Sequence, residues 1–156
     1  MPAVGIVGYN GHEISRAFLR MSQGAANCYH ITNGQSLGPK INVLVAAEAS
    51  PVLSAILPSL CSDDFLIVNA DDKEIIPMLE NFRAKLITYG FNNRACITAS
   101  SVTNDGVQVC IQRVFLGLDG AEREPSEFRA RTNGEHSTSV LGAAAAWAVL
   151  NTNNAT

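Results

Sequence analysis

The sequence predicts a three-layer, Rossmann-like α/β fold: a mostly parallel sheet with an antiparallel hairpin added at one side. Three observations carry this expectation. Short apolar runs alternate with helix-patterned segments as far as Gly90. The first run, in "VGIVGYNGHEIS" (Val4 to Ser15), ends in a glycine-rich turn that opens a helix, the layout of a phosphate-binding loop. Beyond Gly90 two strand-like runs flank "TNDG", whose Asp105 and Gly106 suit the positive φ of a tight hairpin.

Taken in order, "AVGIV" (Ala3 to Val7) is a buried-strand run that ends in glycines. "HEISRAFLRMSQ" places Ile14, Phe18, Leu19 and Met21 at near-helical spacing. "NCYHIT" reads as a weak strand, followed by a polar turn through "NGQSLGPK". "INVLVAA" is a second strong strand with Glu48 at its end. "SPVLSAILPSL" suits a helix with Ser50 as N-cap and Pro51 in the first helical position. "DFLIVNADD" is a third buried strand running into acids, and "KEIIPMLENFRA" a helix in which Pro77 must sit in the first turns or cause a kink. "KLITYG" is a fourth strand. "ACITASSV" and "VQVCIQRVFLGL" form the hairpin, "EFRART" a third strand of that meander, and "SVLGAAAAWAVL" a compact final helix. Residues 1–150 thus form the folded unit, and 151–156 a polar tail.

Composition narrows the function. A chain of 156 residues, 47% hydrophobic and 16% charged, has enough apolar residues for a core and the size of about one domain. A net charge of −3 with scattered basic residues gives no footprint for nucleic acid or an anionic membrane. No apolar stretch approaches the roughly 20 residues that span a bilayer, and no secretory signal opens the chain, so a cytoplasmic protein is expected. Cys28, Cys61, Cys96 and Cys110 lie far apart, as do His12, His30 and His136. Neither a zinc site nor a disulfide framework is indicated, and the thiols are expected to be reduced and mostly buried.

The chemistry-bearing candidates fall in three places. At the glycine turn, Gly8, Asn10, Gly11 and His12 could bind phosphate through backbone amides and the helix dipole. His12 carries charge only when protonated, and Glu13 would repel phosphate oxygens. Three readings therefore stay open there: a ligand-free turn, an altered anion site and true ATP chemistry. At the strand ends, Glu48, Asp71 and Asp72 are candidate magnesium ligands, although Asp71 and Asp72 would equally serve to cap the next helix. Before the last helix, His136 with Ser137 could act in nucleophilic chemistry, but without an evident third partner capping is the simpler account.

Together these stretches resemble the central, ATP-binding domain of the Mur ligases, which add amino acids to cell-wall precursors. "VGIVGYNGHEIS" is similar to that family's "VGITGTNGKTTT", and Glu48 in "AAEASPVLS" to its "E-x-S" strand end. "VNADD" resembles its "lNaDD", "LITYGF" its "vitfG", and "GEHSTSVLGAAAA" its "G-x-H-N-x-x-N-x-x-A-A". The match runs from residue 3 to about 150. The resemblance implies a nucleotide-binding fold with ATP and magnesium as cofactors. The departures argue the other way. The family's P-loop lysine and threonine fall on His12 and Glu13, and its two helix-start asparagines on Ser137 and Val140. "SDDFLIVNADD" leaves little room for the family's "TN…DH.D" segment and its carbamylated lysine, which Lys85 does not replace. The family's flanking substrate and amino-acid domains are also not in these 156 residues. The expectation is a catalytically degenerate domain that binds or regulates, with a homo-oligomer or a ligase chain as partner. The alternatives are an ATP-dependent amide ligase with a divergent site, and a small-molecule binder using the cleft at the carboxyl ends of the strands.

Overall fold

A computed structural model describes residues 2–32, 40–80 and 82–151. The "NGQSLGPK" turn, Lys40 excepted, and the polar tail beyond Asn151 lie outside the described residues. Ten strands and three α-helices follow in the order β1 (Ala3–Val7), α1 (Gly11–Ser22), β2 (Asn27–Ile31), β3 (Val43–Ala46), α2 (Pro51–Ile56), β4 (Phe65–Asn69), β5 (Lys85–Tyr89), β6 (Ile97–Thr103), β7 (Gly106–Ile111), β8 (Phe115–Leu116), β9 (Glu122–Arg123), β10 (Ser126–Arg131) and α3 (Ser137–Leu150). Eight strands form one sheet in the order β10-β7-β6-β5-β4-β3-β1-β2. Pairing is parallel from β2 through β6 and antiparallel across β6, β7 and β10. This is the expected mostly parallel Rossmann-like sheet with its hairpin extension.

Two apolar clusters make the layers. On one face α1 and α3 cover Val4, Ile6, Val43, Val45, Ile67, Val107 and Val109. On the other, α2 and the chain around it cover Val7, Leu44, Leu66 and Val68. The odd and even residues of the parallel strands serve opposite faces, which is why these runs are apolar throughout. Helix α3 is buried nearly all round and its Ala143 to Ala146 are inaccessible to solvent, so small side chains let it lie close across the middle of the sheet. At Gly142 there is little room for a side chain: a Cβ there would sit 3.0 Å from the Tyr89 hydroxyl oxygen.

Ser50 caps α2 as expected, its Oγ accepting from Leu53 N at 3.2 Å. Three expectations need correction. The helix predicted over "KEIIPMLENFRA" is only a 3₁₀ turn, Ile76–Leu79. Pro77 has no N–H for an α-helical ladder and disfavours helix at the residue before it, and among the described residues of this segment only Ile75 and Ala84 are buried in the core. The outer side of β5 is left thinly covered, with Leu86 41% exposed. Second, "VQVCIQRVFLGL" is not one strand. It breaks after Ile111, where the Gln112 side chain donates to Asn93 O and Ala95 O, and Phe115–Leu116 pairs instead with Glu122–Arg123 in a separate ribbon. Third, the cysteines are free, but only Cys96 is buried; Cys28 and Cys110 are half-buried and Cys61 is exposed. Burial pushes the Cys28 and Cys96 thiols up. Among the described residues no helix is long and apolar enough to cross a membrane.

Candidate functional site

Strand β1 pairs with β2 on one side and β3 on the other. Its connection to β2 runs through α1 on one face, and the connection from β3 to β4 runs through α2 on the other. The carboxyl ends of β1 and β3 therefore flank a topological switch point, the usual crevice for ligands in open α/β sheets. The glycine turn and Glu48 both arrive there.

The turn is built by close approach. Gly8 has φ +134°, and a Cβ on it would lie 2.8 Å from the Ala47 Cβ. Its carbonyl accepts from Gly11 N at 3.1 Å and lies 3.3 Å from His30 Nε2. The His30 ring fills the space beside Gly11, where a Cβ would come within 2.4 Å of its Nε2. Asn10 is the N-cap of α1, yet its side chain makes no capping bond; its carbonyl accepts from Glu13 N and Ile14 N. His12 is exposed on the first turn of the helix.

Two carboxylates answer the positive features of this site. Glu48 Oε1 accepts from Tyr9 N, inside the turn itself, at 2.6 Å. Glu13 reaches across from α1 to the start of α3: its Oε1 accepts from His136 N at 2.7 Å, and His136 Nδ1 lies 3.1 Å from both oxygens. The bond from His136 N holds the Glu13 carboxyl below its ordinary value, against partial burial and with help from the His136 ring and Ser139. An acid at a helix N-terminus satisfies orphan amides and complements the dipole. Helix α3 thus takes its cap from another helix, since His136 offers no side-chain cap of its own.

The loop acids do different work. Asp71 accepts from Phe91 N at 2.7 Å and Asn92 N at 3.0 Å. Asp72 accepts from Ala49 N at 2.8 Å and Glu74 N at 3.0 Å. The expected capping of an α-helix after Asp72 is corrected by these bonds: no such helix forms, and the two carboxylates tie the loops after β3, β4 and β5 together. Among the described residues no three His, Cys, Asp or Glu side chains form a group that could hold a metal ion.

What remains between these elements is a cavity of about 100 Å³, lined by Tyr9, Asn10, Ile14, Ala47, Glu48, Asn69, Tyr89, Thr138 and Ser139. Ligand sites for drug-sized molecules run from roughly 300 Å³ upward, whereas about 100 Å³ suits a few waters, each taking roughly 30 Å³. Of the sequence candidates, Asn10 and Glu48 line it; Gly8 and Gly11 shape the adjoining turn, and neither they nor His12, Asp71, Asp72 and His136 line the cavity. Sequence reasoning missed Tyr89, which is fully buried and whose hydroxyl has no hydrogen-bond partner among the described residues. Burial, with Asp71 nearby, pushes that phenol well above its ordinary value. Reasoning from sequence also missed Glu135, whose side chain is inaccessible to solvent and joins α1 to α3.

Glycine turn, switch point and helix starts define the class: a Rossmann-like α/β domain with a P-loop-like first turn. No protein-family model matches the chain, and no curated protein matches it in sequence. Among solved structures it is similar to a UDP-N-acetylmuramoyl-L-alanyl-D-glutamate–2,6-diaminopimelate ligase, with a TM-score of 0.66 and 12% identity. The alignment covers 94% of this chain and 42% of that one. The likeness is one of fold, and this chain spans less than half the length of the ligase.

Proposed function

We propose that this chain is a Mur-ligase-like domain that acts by binding or regulation and not by phosphoryl transfer, in the setting of cell-wall precursor metabolism. One observation carries the reading: a carboxylate already occupies an amide of the glycine turn, Glu48 at Tyr9 N, and a second, Glu13 on the first turn of α1, is held beside it on His136 N. Two unit charges about 4 Å apart interact by roughly 4 kcal/mol at an effective dielectric near 20. A phosphate oxygen in the turn would meet that repulsion without the fixed lysine of a working P-loop, because His12 stands in its place. Transfer of a γ-phosphoryl group depends almost wholly on positioning and charge stabilisation, and here the local charge has the wrong sign. The similar solved structure is a 2,6-diaminopimelate ligase. This chain would keep that protein's fold as a scaffold.

Isothermal titration with ATP and magnesium tests the reading. The expected result is no micromolar binding and no release of phosphate, for the wild type and for Glu48→Gln alike. Micromolar binding with turnover that Glu48→Gln abolishes would overturn it in favour of a ligase with a divergent site.

A further inference from the structure

Strand β10 is one end of the eight-stranded sheet, and among the described residues no strand pairs with its outer edge. Its sequence, "SEFRAR", alternates strictly between the two faces. Phe128 and Ala130 pack on the α3 side. Glu127, Arg129 and Arg131 are exposed and belong to the opposite face, where, among the described residues, no helix covers the hairpin extension. Edge strands often carry charges that discourage pairing. Here the signs are ordered so that a two-fold axis brings opposites together.

We infer that the outer edge of β10 is a self-association surface, pairing antiparallel with β10 of a second copy about a two-fold axis at Phe128. A two-fold interface uses the same patch twice, so each residue and its partner must suit each other in both directions. If both α3 helices are to stay on one face of the joined sheet, the axis must fall on a residue of the strand. With the axis at Phe128, Glu127 stands opposite Arg129 of the second copy, and the same pair repeats on the other side. Arg131 then comes diagonal to Glu127 of the second copy, within reach of a long side chain. Moving the axis one residue forward sets Arg129 against Arg129, and one residue back sets Glu127 against Glu127. The charges therefore select one register. On the α3 face that register places Phe128 against Phe128 of the second copy, an aromatic cross-strand pair. Each Phe128 also borders a groove of about 560 Å³, lined with Ile111, Trp147 and Ala148.

The present partners of these charges leave them available. Glu127 accepts from Ser100 Oγ, and Arg129 donates to Thr103 Oγ1 and Asp105 Oδ1, all at the surface. A carboxylate has further lone pairs and a guanidinium further donors. The inference is independent of the nucleotide question, because β10 lies at the far side of the sheet from the turns around β1.

Sedimentation across two decades of protein concentration tests it, on the whole chain and with two charge reversals, Glu127→Arg and Arg129→Glu. The wild type is expected to show a reversible dimer, and each reversal alone to weaken it at least tenfold by placing like charges opposite. Mixed together, the two reversals are expected to form a heterodimer, because every facing pair is then again of opposite sign. Circular dichroism and thermal melting of each variant establish that it is folded; if either is not, Glu127→Lys with Arg129→Asp repeats the test. A wild type that stays monomeric throughout, a reversal that leaves the dimer intact, or folded variants that fail to pair when mixed would each overturn the proposal.

Discussion

Glu135 is the residue whose loss should be felt most. It lies just before α3, is 6% exposed, and its carboxylate accepts from Arg16 Nε at 2.7 Å, Arg20 Nη2 at 2.8 Å and Asn133 N at 2.9 Å. Burial alone would push this carboxyl up. Arg20, the Asn133 amide and Arg16 outweigh it and hold the carboxyl at about 2, against an ordinary 4.5. At 1.36 kcal/mol per pH unit, that difference corresponds to roughly 3 kcal/mol at neutral pH. Arg16 is 53% exposed at its side chain, so solvent screening reduces this to about 2–3 kcal/mol. The folded value lies below the unfolded one. The contribution is therefore complete above the unfolded value of 4.5 and is lost as pH falls toward about 2. Glu135→Gln should lower the melting temperature by roughly 4–12 °C at pH 7, taking about 2–4 °C per kcal/mol for a domain of this size. Urea or thermal melts of both proteins from pH 7 down to pH 3 provide the assay. The gap between them should be constant near neutrality and shrink below about pH 4, within the window set by these two values. An unchanged melting temperature at pH 7, or a gap that keeps its size down to pH 3, would refute the reasoning.

Two further predictions concern the crevice. Gly8→Ala should destabilise the chain by about 1–3 kcal/mol, because φ +134° strains any side chain and the new Cβ would meet that of Ala47 at 2.8 Å; Gly24→Ala, with positive φ but open space around it, should cost less, and equal losses in a thermal melt would remove the packing argument. Tyr89→Phe should leave stability within about 0.5 kcal/mol or raise it, since removing a buried hydroxyl that has no partner loses no bond. A drop above about 1 kcal/mol by urea denaturation would mean that the hydroxyl has a bonded partner in the cavity.

Most of the fold could be read from local pattern. The parallel strands announced themselves as short apolar runs because both their faces are covered. The hairpin through "TNDG" and the cap at Ser50 were legible because turn and cap chemistry acts within a few residues, but the expected positive φ is corrected: neither Asp105 nor Gly106 adopts it, and Gly106 is already the first residue of β7, paired with Thr103. The helix at "KEIIPMLENFRA" was misjudged because its apolar residues fit a helical period while Pro77 removes the ladder and, among the described residues, only Ile75 and Ala84 are buried in the core. The site was legible in part. The structure brings Glu48 from the end of β3 onto the turn that Gly8, Asn10 and Gly11 form. Glu13 was visible only as a departure from a phosphate loop.

By itself, then, the sequence determined the class of sheet, the place of the glycine turn and the presence of His12 and Glu13 directly after it, since each depends on residues close together along the chain. Tertiary structure alone decided what those residues became. Glu13 lies 123 positions from His136 and Glu135 lies 119 from Arg16; only the packing of α1 against α3 turns a misplaced acid into a helix cap and a buried acid into the joint between two helices. Hydrogen bonds and charge act through space over a few ångströms, and separation along the chain does not record that distance.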